Sequence, residues 1–174
     1  HLDMYPPAYP HDAYVVRDSL EAVNQVNRAA DEGATAIKVY FRLPPHLIRV
    51  ICKAAHARGL PVTAHLEITE AMEAIEQGLD GIEHITSFGL SLQPKREGEK
   101  YRQMVLNNND ARKQGRYEVW SNINPNGRLT DSLSAFLVKR GTFVSPTLGP
   151  FEYQPSDSST DIVKLKGFNN MKAV

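Results

Sequence analysis

One cysteine, Cys52, is all the thiol the chain contains. A single thiol excludes an intrachain disulfide framework and leaves the redox compartment open, with the cytoplasm the first expectation. A charge of one sign is also missing: 20 basic residues balance 20 acidic ones, and the two are interspersed. That excludes an electrostatic footprint for nucleic acid or for an anionic membrane surface. No apolar run approaches the roughly 18 residues that cross a bilayer. Glycine-rich phosphate loops are absent too, with neither GxGxxG nor GxxxxGK followed by Ser or Thr. A nucleotide-binding open sheet would want one. Residues His1 to Pro7 lack a basic stretch followed by an apolar one, so they do not read as a signal peptide. Nor does the chain begin with methionine, and the expectation is a part of something longer.

What is present is an ordinary globular composition, 41% hydrophobic and 23% charged over 174 residues. That is enough for one domain with a core. Residues 1–17, rich in Pro, Tyr and His, read as an irregular loop with His11 solvated. A helix is expected from Asp18, with Glu21 as capping-box partner and an apolar stripe of Leu20, Val23, Val26 and Ala30, stopping at Gly33. Strand 35–41 follows. Pro44 and Pro45 then open a helix over about 46–58 that buries Leu47, Val50 or Ile51, Ala54 and Ala55 and closes at Gly59. On it, Cys52 reads as a packing residue and His56 as a surface one. Strand 61–66, a short helix at about 69–77 ending at Gly78, and strand 81–85 make the third unit. A fourth has a helix capped by Thr130 or Asp131, Gly141, and strand 143–148.

Helix, glycine, strand, four times over, is the pattern of an α/β protein with a parallel sheet. Lys38, His65 and His84 stand five, six and six residues after Gly33, Gly59 and Gly78. Three consecutive units therefore place one chemistry-bearing side chain near the same point of a strand. Barrels carry catalytic groups at the C-terminal ends of their strands, so the expected fold is part of a (β/α)8 TIM-like barrel. A closed barrel needs eight strands and roughly 200 or more residues. Four strands leave open edges, to be covered by the remainder of the barrel or by an oligomeric partner. The whole of 1–174 reads as one partial barrel domain with a polar insertion at about 86–128, helical near 97–114. Placed at the active-site end, the insertion makes a lid. Alternatively it is a solvated excursion packed around Tyr101, Tyr117 and Trp120. From Ser156 to Asp161 the chain is again polar, and its last residues read as the start of a helix.

Two imidazoles on adjacent strands suit zinc or a similar divalent metal. Lys38 is different, because an ammonium has no lone pair. It can form a Schiff base with a carbonyl substrate, as in an aldolase or lyase. It can be carbamylated to an anionic ligand, or it can pair with an acid such as Glu67 or Glu83. Strand alternation puts Glu83 on the face opposite His84, towards the helices, and Glu67 on the face of His65.

The runs Gly33–Val39, Ala55–His65 and Ala74–His84, with Gly141–Leu148, resemble the amidohydrolase superfamily, and within it the imidazolonepropionase- and prolidase-like branch. The resemblance covers roughly 18–150 and implies strands four to seven of the barrel. It implies a carbamylated Lys38 bridging two divalent metals, with His65 and His84 binding the second. Such metals activate water for attack on the carbonyl of a small-molecule amide, peptide or ester. The branch's His-x-His and its catalytic Asp have no match: Asp3, Asp12 and Asp157 do not stand at strand ends. The chain by itself is therefore expected to be inactive. A non-catalytic barrel module is the third alternative, beside the hydrolase and the Schiff-base enzyme.

Overall fold

The computed structural model describes residues 1–7, 9–151 and 161–174. Its strands are β1 (Leu2–Met4), β2 (Tyr14–Val16), β3 (Ile37–Val39), β4 (Val62–Ala64), β5 (Gly81–Glu83) and β6 (Phe143–Ser145). They form one sheet in the order β2-β1-β3-β4-β5-β6, every neighbouring pair parallel. From β3 to β6 each strand lies beside the next in sequence, as in an arc of a (β/α)8 barrel.

The amino-terminal residues correct the sequence reading. Residues 1–17 are not simply a loop, because β1 and β2 lie within them and pair parallel, Leu2 with Tyr14 and Met4 with Val16. Three-residue strands are too short to show a periodicity, and these are fixed by what they bury. Leu2 and Val16 are 2% and 0% exposed. The buried Asp3 accepts the backbone N–H groups of Met4 at 2.9 Å and Arg42 at 3.2 Å.

The helices are α1 (Ser19–Asp31), α2 (Pro45–Ala57), α3 (Ala71–Glu76), α4 (Lys95–Asn107), α5 (Arg112–Ser121), α6 (Arg128–Arg140) and α7 (Ile162–Ala173). Four of them, α1, α2, α3 and α6, pack side by side in that order. Each is followed by a glycine with positive φ, Gly33, Gly59, Gly78 and Gly141. Of the sheet, Ile37, Val39, Val62, Ala64 and Ile82 are fully buried, as parallel strands covered by helices require. Helix α2 supplies Leu47, Ile48, Ile51, Cys52 and Ala55 to the core.

Two helix starts differ from expectation. Asp18 does cap α1, accepting from Glu21 N at 2.8 Å, but the Glu21 carboxylate reaches back to Arg17 N rather than to the cap's own N–H. Leu20 is 70% exposed, and Ala22 and Val26 are the buried residues of the helix. Helix α6 begins earlier than Thr130, after Gly127, where a turn donates Gly127 N to Asn124 O at 3.1 Å.

Residues 86–128 contain α4 and α5, and α7 lies across α5. Tyr101, Tyr117 and Trp120 are all buried in this layer. Gly167 lets the two helices approach: a Cβ there would stand 2.7 Å from the Tyr117 carbonyl oxygen. The polar stretch from Ser156, with Asp157, lies outside the described residues up to residue 160. Asp161, next to it, caps α7 by accepting from Lys164 N. At the far edge of the sheet all of β6 is exposed, with no further strand beside it among the described residues.

Candidate functional site

Lys38, Thr63 and Glu83 share the face of the sheet opposite α1, α2, α3 and α6. Lys38 stands beside Thr63 in the β3–β4 register. Glu83 joins them, accepting from Lys38 Nζ on Oε2 and from Thr63 Oγ1 on Oε1, each at 2.7 Å. This corrects the alternation argument, which sent Glu83 towards the helices. Alternation fails because β5 ends at Glu83. His84 has φ 65° and ψ 124°, so its side chain swings back to the side it would otherwise have left. Of the two acids considered for Lys38, Glu83 is the partner and Glu67 belongs to His65. Burial works to raise the Glu83 carboxyl, but the Lys38 and Thr63 hydrogen bonds hold it below the usual range.

The backbone turn at His84 brings two imidazoles together. The rings of His65 and His84 lie 4.5 Å apart between centroids, and Tyr40 stands edge-on to His65 at 4.9 Å. His84 Nδ1 bonds the Thr147 hydroxyl at 2.6 Å. His84 and Thr147 are also the two described non-glycine residues with positive φ, 65° and 45°. A β-branched residue in that region is strained by roughly 1–3 kcal/mol. Strain of this kind collects where a side chain must be aimed. Here the two strained residues bond each other.

His65 is 5% exposed. Its Nε2 bonds Glu67 Oε1 at 3.2 Å, while its Nδ1 is buried with no hydrogen-bond partner among the described residues. Glu67 is itself enclosed, taking the Tyr101 hydroxyl from α4 and, at 3.5 Å, Arg116 Nη2 from α5. Burial alone would raise its carboxyl, yet the hydrogen bond from His65 and the charge of Arg116 hold it below the usual range. Arg112, one turn before Arg116, stacks on Phe41 at 5.0 Å and donates to the Tyr9 hydroxyl. The insertion helices thus close over His65 and bring Tyr101, Arg112 and Arg116 with them. The residues the sequence did not disclose are Thr147, Tyr101 and Arg116. Only the position of the insertion after β5 hinted at the last two.

The two imidazole rings stand side by side, and the orphaned Nδ1 of His65 is the nitrogen a metal would use. Among the described residues no group of three or more His, Cys, Asp and Glu side chains could hold a metal ion. As it stands, Lys38 is an ion-paired ammonium without a lone pair. The residues fit part of a metal site.

Burial, then the charges of His65 and Lys38, push the His84 imidazole down to about 4 from its ordinary 6.5. The unfolded chain therefore takes the proton first. The stability contributed by neutral His84 is fully present above about pH 6.5 and is lost as pH falls towards 4. Allowing for solvent screening of this half-exposed ring, roughly 1–2 kcal/mol should disappear across that window. Urea unfolding at pH 7 and pH 4 measures it, and His84→Gln should flatten the dependence. An equal slope in the wild type and the variant would contradict it.

No protein-family profile matches the chain, and neither does any curated protein. Solved structures match by shape. The crystal structure of A. niger ochratoxinase aligns with a TM-score of 0.56 at 16% identity, over 98% of this chain and 35% of that one. A crystal structure of an amidohydrolase aligns with a TM-score of 0.52 at 19% identity, over 96% of this chain and 40% of that one. The chain thus spans well under half the length of either protein. At such identities the likeness is one of fold: an α/β protein whose parallel sheet follows part of the architecture of these larger proteins.

Proposed function

We propose that the chain is part of a metal-dependent hydrolase acting on amide, peptide or ester carbonyls. The observation that carries this is the convergence of His65 and His84, 4.5 Å apart between ring centroids, with one imidazole aimed by a strained backbone. In this reading the two histidines would hold a divalent ion, zinc the first candidate, and Lys38 would become an anionic ligand after carbamylation. Carbamylation needs the Lys38 ammonium first to lose one proton; the amine then joins carbon dioxide through Nζ and loses a second, so a cation becomes an anion and Glu83 must release it. The metals would supply Lewis-acid activation of water and of the carbonyl. The chain's own groups do the rest: Thr147 orients His84, and α4 and α5 keep water from the buried side of His65. Further ligands and a proton acceptor come from the rest of a barrel or from an oligomeric neighbour. The barrel position of the strands, the fourth to the seventh, belongs to the same proposal. So does the relation of the two named proteins to this chain: the amidohydrolase among them agrees with the class.

Metal content tests it. The purified chain, loaded with zinc and desalted, should retain a divalent ion by plasma mass spectrometry. His65→Ala and Lys38→Ala should lower the retained metal at least about tenfold, as loss of a ligand does. Well-folded wild type that retains none would sink the claim that His65 and His84 hold a metal in this chain by itself.

A further inference from the structure

The hydrolase reading uses His65 but gives no reason for the bonds around Glu67. A fully buried carboxylate is costly unless every part of it is paired. Glu67 meets that condition with three donors from three parts of the fold. His65, just after β4, bonds Oε1 at 3.2 Å, Tyr101 of α4 bonds Oε2, and Arg116 of α5 lies 3.5 Å from Oε1. An ionised carboxylate only accepts, so the proton of a neutral His65 ring sits on Nε2 and the lone pair on Nδ1. Nδ1 is the buried ring nitrogen with no partner among the described residues. The geometry selects one tautomer of one histidine. It does so through residues that arrive with the insertion.

We propose that Glu67 is a positioning residue: it sets the tautomer and tilt of His65, and Tyr101 and Arg116 hold it, so that seating of α4 and α5 on the sheet makes His65 competent to bind metal. This rests on the metal-dependent reading of the site. Closure over the strand ends and completion of a ligand thereby become one event. A merely structural Glu67 would lower stability without changing which nitrogen of His65 carries the proton.

The test uses the whole chain with nitrogen-15-labelled histidine. In the metal-free wild type, His65 should show a protonated Nε2 and an unprotonated Nδ1. In Glu67→Gln, whose amide can accept or donate, the two forms should mix. Zinc competition against a chromophoric chelator should then show a dissociation constant raised roughly 10–100-fold in the variant. An unchanged His65 tautomer in folded Glu67→Gln overturns the proposal. Where that variant does not fold, Tyr101→Phe decides: the proposal expects shifted His65 ring signals, and unshifted ones overturn it. A wild type that binds no zinc overturns metal binding by His65 and His84 in this chain, and the tautomer comparison still settles the role of Glu67.

Discussion

Trp120→Ala should lower the free energy of unfolding by about 3–5 kcal/mol, the cost of emptying a fully buried tryptophan site. Trp120 is 0% exposed in α5 and heads the largest completely buried side chains of the protein. It has no slack around it. A Cβ added at Gly89 would stand 3.4 Å from its Nε1, and Asn170 of α7 donates to its carbonyl oxygen at 2.8 Å. One term runs the other way. The indole N–H is buried without an acceptor among the described residues, so its removal relieves an unsatisfied donor worth about 1–3 kcal/mol. Trp120→Phe separates the two effects, because it keeps most of the volume and drops the orphaned donor, and it should cost less than about 1.5 kcal/mol. Since domains are stable by only about 5–15 kcal/mol, the alanine variant should lose a large share of its stability. Chemical denaturation followed by far-ultraviolet circular dichroism reads both. An alanine variant within about 1 kcal/mol of wild type would show that α5 is not packed as described.

Gly167→Val should destabilise by about 2–3 kcal/mol, although helix propensity alone predicts a gain of several tenths of a kcal/mol for replacing a mid-helix glycine. The sign is decided by contact. The Cβ at Gly167 would lie 2.7 Å from the Tyr117 carbonyl oxygen and 3.2–3.3 Å from two more backbone atoms of the same residue. Backbone within a helix cannot step aside as a side-chain tip can, so α7 must lift from α5 and expose Phe168 and Met171, now 5% and 1% exposed. Proteolysis confined to the lifted helix, with the sheet still protected, would accompany the loss. A stabilised valine variant would mean that the two helices do not touch at this point.

The four repeated units were legible because their signals are local. Apolar spacing along α2, and the glycines that stop α1, α2, α3 and α6, act within one turn of helix and survive any tertiary arrangement. The matched distances from glycine likewise anticipated that His65 and His84 would come side by side. What could not be read depends on partners distant in sequence. Strands β1 and β2 exist because Leu2 and Val16 find a core, not because three residues announce a strand. Glu83 was misplaced because alternation was counted one residue past the end of β5. The positive φ of His84 is set by bonds to the β6 segment, Ser145 O at 2.8 Å and Thr147 at 2.6 Å. Tyr101 and Arg116 belong to the insertion, where the sequence has no period that points to Glu67.

Trp120 is the single tryptophan of the sequence, and it lies in the helical layer over the strand ends rather than in the sheet. Native emission excited at the red edge of the absorption band therefore comes from one place. A blue spectrum that reddens before the far-ultraviolet signal of the sheet is lost would show the covering helices opening ahead of global unfolding, with no label attached and no residue replaced.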